Sequence, residues 1–269
     1  MLIPYIRSSL LGNWELCQTQ CVLTYAMGME SKAGAAASMG SCVHKMMELR
    51  ALGSMAQKSG KESFEYEHWG TIESSWAMNL DQTIDKCHEN QLELDNHVDP
   101  KKIIKSKILG WAKKAIEDYP QYDPINLNII AIEQYFDIEI QEEWAKYKKE
   151  LNGVMYEGYM KIKGTVDCIL SHTDDIIEVF DYKTGSRKCF ATEKEKTLEY
   201  LKEDKQLLFY LYALNKLYPG KTFIMTLYFI NDGGIYSVIG DGEMLQRAED
   251  MIKEKYLEIT TVQNPTKQD

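Results

Sequence analysis

The chain has 269 residues, with 31 Lys+Arg against 41 Asp+Glu, a formal net charge of −10 and a pI near 5.1. With 44% hydrophobic and 27% charged residues it has the material for a sizeable globular core, and 17 Gly and 6 Pro are too few for a disordered or linker-rich chain. The acidic balance excludes coating DNA through bulk charge, though a local basic groove stays open to it. No run of 18 uncharged apolar residues exists, so no membrane contact is expected. The apolar start is interrupted by Arg7 and Glu15 with no small-residue cleavage site after it, so no signal peptide is expected. Six scattered cysteines do not form the dense framework of a small secreted domain, and reduced thiols in a cytoplasmic protein are the expectation.

The N-terminal hundred residues read as helical. Ser8 and Ser9 can cap a segment running to about Met27. Ala35 to Leu52 carries Met39, Val43, Met46, Met47 and Leu49 at helical spacing. Residues 63–95 place Phe64, Trp69, Ile72, Trp76, Leu80, Ile84 and Cys87 on one face, and a further helix is predicted from Pro100 to Tyr119. The period then changes. Leu127 to Ile140, Tyr156 to Leu170 and Ile176 to Tyr182 are β-branched and partly alternating, with turn residues between them. A helical pattern returns from Glu193 to Leu217. Thr222–Ile230 and Ile235–Ile239 follow as strands joined at Asp232-Gly233-Gly234, and a last helix is predicted from Gly242 to about Leu257. With no internal repeat and no long linker, the pattern predicts one α/β (α+β) domain over 1–269 with a helical N-terminal elaboration.

Phosphate-cradling glycine loops, an HExxH zinc helix and paired CxxC motifs are all absent from the sequence. Cys17 and Cys21, four apart, read as a buried pair of free thiols. What remains surrounds the central strands. KGTVDCIL (163–170) carries Asp167 among apolar residues. Fourteen residues on, VFDYKTGS (179–186) puts Asp181 and Lys183 on one side of a strand. Carboxylates inside apolar strands are costly unless paired or metal-bound. Two such strands joined by a tight turn would bring Asp167, Asp181 and Lys183 together, with a divalent cation between the aspartates relieving their repulsion. The competing reading is a plain ion pair of Lys183 with one aspartate at a solvated strand end.

The run GTVDCILSHTDDIIEVFDYKTGSRK resembles the core of the PD-(D/E)XK nuclease superfamily, specifically its RecB-like branch, which includes the nuclease domains of recombination helicase–nucleases and the small CRISPR-associated exonucleases. The resemblance implies a restriction-endonuclease-like mixed β-sheet flanked by helices, with a helical insertion at about 54–120. It extends to Gln206 and Tyr210 in KQLLFYLYAL and to Gly40, His44 and, four residues on, Glu48 in GSCVHKMMELRA. Glu133 in IAIEQYF matches a position where relatives often carry a glutamate, although the polar face of an edge strand explains it as well. Cys17 sits where iron–sulphur members of the branch have their first cluster cysteine. No cysteine follows Cys189, so either the protein has no cluster or the partners lie past Asp269; no iron–sulphur cluster is expected in this chain.

By the same resemblance, Asp167, Asp181, His44 and the Tyr182 backbone carbonyl hold Mg²⁺ or Mn²⁺. Lys183 orients the attacking water or stabilises developing charge, and Gln206 and Tyr210 position the scissile strand or brace the site. Arg187 and Lys188, just past these residues, are the expected phosphate contacts. Lys101, Lys102, Lys105, Lys107, Lys113 and Lys114 share one helix and read first as a solvated face. The implied activity is a metal-dependent DNA exonuclease acting on ends, single-stranded ends included, in recombination, repair or phage DNA processing. The alternatives are an inert DNA-binding subunit working with a helicase or integrase partner, and a structure-specific endonuclease.

Overall fold

The computed structural model describes residues 4–29, 35–60, 100–188, 194–232 and 234–262, apart from the side chains of residues 35, 38 and 100–105. The helix expected over 63–95, most of the expected insertion, Cys87, Cys189 and Gly233 lie outside the described residues, as do the side chains of Lys101, Lys102 and Lys105.

Strand β1 (Tyr5–Ile6) leads into α1 (Ser8–Leu16), α2 (Gln18–Cys21) and a π-helical turn at Val22–Ala26. The single helix expected from Ser8 to Met27 is therefore broken. Cys17 adopts an extended conformation, and its Sγ accepts from the Gln20 N–H at 3.4 Å, capping the next turn. Helix α3 (Ala35–Lys58) outruns its expected end, and α4 (Pro100–Glu117) begins at the predicted proline. A buried ion pair fixes α3 to the chain after α4: Arg50 Nη2 and Nε reach Asp123 Oδ2 and Oδ1 at 2.6 and 3.1 Å.

Strands β2 (Ile129–Glu139), β5 (Lys161–Thr173), β6 (Ile176–Lys183), β7 (Thr222–Phe229) and β8 (Gly234–Gly240) join β1 in a six-stranded mixed sheet. Between β2 and β5 stands a separate hairpin, β3 (Lys146–Leu151) and β4 (Val154–Tyr159), turning at Asn152-Gly153 with φ of 53° and 78°. This corrects the single strand expected over Tyr156–Leu170: the chain leaves the hairpin at Met160 and starts β5 anew. The lysine-rich β3 has its side chains mostly in solvent and lacks the apolar alternation that would mark it.

The helix expected over Glu193–Leu217 is likewise two helices, α5 (Leu198–Lys202) and α6 (Lys205–Leu217). Asp204 is the break, its carboxylate accepting from the N–H groups of Gln206 and Leu207 at 3.0 and 3.2 Å. Helix α7 (Gly242–Thr261) closes the fold with a stripe of Met244, Ala248, Ile252, Tyr256 and Ile259 turned inward.

Strand pairing sets where chemistry can happen. One edge of β5 pairs with β2 throughout; the other is shared, with β1 on Lys161–Ile162 and β6 on Cys168–Thr173. Between those contacts the sheet is split. Helices α6 and α7 cover one face, over Val179, Met225 and Leu227, while α3 and α4 cover the other, over Cys168, Phe180 and Tyr228. The split thus opens between two helical layers. Among the described residues, no helix is long and apolar enough to cross a membrane.

Candidate active site

The last paired residues on the Asp side of the β5–β6 ladder are Cys168 and Phe180, so Asp167 and Asp181 face each other one rung further, where the strands part. On the other side of β5, Ile132 pairs with Cys168 and Gln134 with Val166, which sets Glu133 opposite Asp167. Three carboxylates on three neighbouring strands therefore form one row across the sheet. Glu133 adopts φ of 46°, a left-handed conformation that costs a non-glycine residue on the order of 1 kcal/mol or more. Side chains on both sides of it change faces: Phe136 belongs to the α6 layer, Ile132 to the α3 layer.

Each helical layer delivers one group to this row. From α3, His44 Nδ1 approaches Asp167 Oδ2 at 3.1 Å, and the same oxygen accepts the Tyr182 N–H at 2.9 Å. Gly40 permits this approach, because a Cβ there would meet Thr184 Oγ1 at 2.8 Å and force that side chain or the helix to shift. From α6, Gln206 donates to Asp181 Oδ1 at 2.8 Å and accepts from Lys183 Nζ at 2.7 Å, its amide also bonding Tyr210 Oη at 2.9 Å. The Asp204 cap sets Gln206 in the first turn of α6, aimed at the sheet. Gly164 serves the same end from below. Its missing Cβ leaves room for the Phe136 ring, which packs against Tyr210 at 6.4 Å between centroids.

A cleft of about 670 Å³ opens over the row, lined by His44, Glu48, Glu133, Asp167, Tyr182 and Lys183 among others. Asp181 lies beneath it, 2% exposed. Burial pushes the Asp181 carboxyl pKa up; Lys183 pulls it back and Asp167 adds to the rise. For His44, burial works against the charged ring, but the hydrogen bond and charge of Asp167 outweigh it and hold its pKa above the ordinary value. Lys183 is also raised, Asp181 overcoming the effect of burial. Burial, Asp167 and Glu48 push Glu133 up to about 7. Glu48 is paired with Lys45 at 2.6 Å.

Hard carboxylate oxygens beside one imidazole suit Mg²⁺ or Mn²⁺. Asp181 Oδ2 touches Lys183 Nζ yet takes no hydrogen bond of ordinary geometry, leaving buried lone pairs that a cation would satisfy. Among the described residues no three His, Cys, Asp or Glu side chains converge on one point as they stand; His44 pairs with Asp167 and Lys183 with Asp181.

The structure thus brings together His44, Asp167, Asp181, Tyr182, Lys183, Gln206 and Tyr210, with Glu133 and Glu48 at the same cleft. Arg187 is engaged by its neighbours. Its guanidinium stacks over Tyr236 at 4.5 Å and pairs with Glu195 at 2.7 Å, and its N–H bonds Asp232. This side chain ties down its own loop and does not line the cleft, whereas Lys188 in the same loop is exposed. Cys21 is buried and Cys17 only partly so, both as free thiols. Sequence reasoning missed the Asp204 cap and the contacts behind Gly40 and Gly164. Both glycines stand in the quoted motifs, but the tight partners that require them come from distant strands.

A scan against family models matches residues 11–268 to the PD-(D/E)XK nuclease superfamily. Among solved structures, a "putative exonuclease" from Eubacterium rectale aligns over 98% of this chain and 84% of its own length, at 14% identity and a TM-score of 0.54, a likeness of fold. The structure of SSO0001 aligns over 65% of this chain and 84% of its own, at 16% identity, but its TM-score of 0.28 is too low to carry weight. No curated protein matches. The family match over nearly the whole chain, on a mixed sheet with an Asp–Asp–Lys centre, makes this chain a member of the PD-(D/E)XK nuclease superfamily.

Proposed function

We propose that the protein is a metal-dependent DNA exonuclease hydrolysing phosphodiester bonds at DNA ends, and that one domain spanning 1–269, with an insertion at about 54–120, carries the activity. The row of Glu133, Asp167 and Asp181, with Lys183 at the same cleft, is the observation that supports this most. Asp167, Asp181, His44 and the Tyr182 carbonyl would hold Mg²⁺ or Mn²⁺, the imidazole favouring Mn²⁺. The ion would neutralise a non-bridging phosphate oxygen and acidify a bound water. Lys183, held by Gln206 and Asp181, keeps its ammonium at the cleft, where it orients the attacking water or meets charge on the phosphate. Tyr210 braces Gln206 from the core. Such an enzyme would serve recombination, repair or phage DNA processing, where a helicase or recombination partner would supply ends.

Purified protein with Mn²⁺ should degrade linear end-labelled DNA and leave covalently closed circles uncut. Lys183→Ala and Asp181→Ala should each abolish degradation while circular dichroism stays that of the parent. If both variants digest DNA like the parent, the assignment is wrong. Cutting of circles would replace the exonuclease with an endonuclease.

A further inference from the structure

Outward from the Glu133–Asp167–Asp181 row, β2 and the first half of β5 are packed on one face only. Phe136, Ile138, Ile162 and Val166 point into the α6 layer, while Glu133, Tyr135, Asp137 and Glu139 are exposed on the other side. Across the ladder these four lie opposite Asp167, Thr165, Lys163 and Lys161. The open face therefore runs from the cleft at Asp167 back to Lys161 of β5, about 20 Å at strand rise. At its far end is a second cleft of about 360 Å³, lined by Tyr5, Tyr147, Tyr159, Lys161 and Lys163 among others. Tyr5 lies between two cations, Arg7 at 5.6 Å and Lys163 at 5.4 Å from its ring centroid, and Lys146 stands 5.9 Å over Tyr159. Tyr135, midway along the face, is 52% exposed.

We propose that this face is the track on which a single DNA strand lies as its end enters the active site, with Tyr135 and Tyr5 stacking bases and Arg7, Lys161 and Lys163 holding phosphates. The proposal deepens the nuclease reading and rests on it. Exposed rings alternating with cations are what an unpaired strand recognises: every base offers a π-face, and the cations follow the backbone. A duplex keeps its bases stacked on each other and cannot use the rings. Charge supports the same occupant. Asp137 sits between Lys161 and Lys163 at 3.5 and 2.8 Å, and Glu157 is taken by Lys148 at 3.2 Å. With Arg7 and Lys146 added, the far end of the face sets four cations against the carboxylates of Asp137 and Glu139, while Glu133 and Asp167 keep the cleft end acidic. The line of alternate positions leads straight to Asp167, so a strand held here presents its end to the cleft.

The test uses fluorescence anisotropy with a labelled oligo(dT) of about 12 nucleotides and its duplex, in Ca²⁺ or EDTA so that nothing is cut, followed by Mn²⁺ kinetics. Tyr135→Ala should weaken oligo(dT) binding about tenfold and raise KM without lowering kcat, while Tyr135→Phe binds as the parent does. Lys161→Gln with Lys163→Gln should flatten the salt dependence by roughly 1.4 in log–log slope. Duplex affinity should stay unchanged in Tyr135→Ala. The proposal is overturned if the parent fails to bind oligo(dT), if Tyr135→Ala binds it within twofold of the parent, or if duplex binding falls equally. A parent that binds oligo(dT) through Tyr135 but cuts no DNA would refute the nuclease reading and leave this face as a single-strand binding surface alone.

Discussion

The two halves of the sheet obey different rules. In β6 and β7 nearly every residue is buried, because helices cover both faces, and the sequences IIEVFDYK and TFIMTLYF read as mostly apolar runs without alternation. In β2 and the start of β5 only one face is covered, and from Glu133 to Ile140 exposed residues alternate with partly or fully buried ones. The candidate site stands on the border. Asp181 belongs to the closed half, buried and held by Gln206 and Lys183; Glu133 belongs to the open half, exposed and held by nothing so rigid; Asp167 lies between. A hydrolase needs both environments. The dry side fixes charges in place without solvent screening, and the wet side admits a long polyanion and water.

Equal truncations in the two halves should break this contrast most visibly. Phe180→Ala, in the closed half against Tyr122 and Tyr182, should cost about 3–5 kcal/mol in urea unfolding. Tyr135→Ala on the open face should fall within about 0.5 kcal/mol of the parent. Comparable losses would mean that the open face is not open in solution. Asp123→Ala comes next in the same measurement. It leaves Arg50 as a buried charge without its bidentate partner and should cost on the order of 3 kcal/mol, loosening α3 and the His44 it carries. A Mn²⁺ titration of that variant should show weakened metal binding; unchanged affinity would mean that α3 is positioned by its apolar contacts alone.

Much of this was legible in the sequence. Alternation marks β2, an apolar run marks β6, and the carboxylates within them are conspicuous because burial makes them expensive. Hairpin spacing was enough to bring Asp167, Asp181 and Lys183 together, whereas His44, Gln206 and Tyr210 were legible only through the family resemblance. What sequence could not yield depended on distant partners. Asn152-Gly153 marks a turn, but nothing within KKEL announces the strand before it or that the hairpin stands apart from the main sheet. No local feature of Arg187 foretells that Tyr236 and Glu195 will hold it. Glu133 was ambiguous for the same reason: its exposure is that of an edge strand, and only the register opposite Asp167 and its positive φ link it to the site.

The border itself is testable through its two helical contacts. Gln206→Ala should lower kcat by about 10–100-fold with little loss of stability, since it frees the Lys183 ammonium and an Asp181 oxygen from their common holder. An unchanged kcat would show that Lys183 needs no such brace. Gly40→Ala drives a methyl into Thr184 Oγ1 and should cost about 1–3 kcal/mol. Thr184→Ala removes that oxygen, so the double variant should recover most of the loss, and additive effects would place the strain elsewhere.

The smallest effect concerns the ion-pair cluster that staples α1 to α6 and α7. Glu15 contacts Lys205 and, at 3.3 Å, Lys255; Glu258 accepts from Lys255 and from Trp14 Nε1, both at 2.8 Å. Burial opposes ionisation of Glu15, but its two lysines prevail and lower its pKa; the Lys255 hydrogen bond lowers that of Glu258, aided by Trp14. A carboxylate whose pKa is depressed by folding releases its proton more readily in the native state than in the unfolded chain. It therefore contributes stability that is fully present above the ordinary value of 4.5 and lost as pH falls through the lower folded value. The midpoint of thermal unfolding should accordingly drop faster below that pH in the parent than in Glu15→Gln/Glu258→Gln, and added salt should narrow the gap because these groups are largely exposed. Parallel pH profiles would mean that the staple is geometric only, with α1 held by the apolar contact of Leu10 and Trp14 against Ile259.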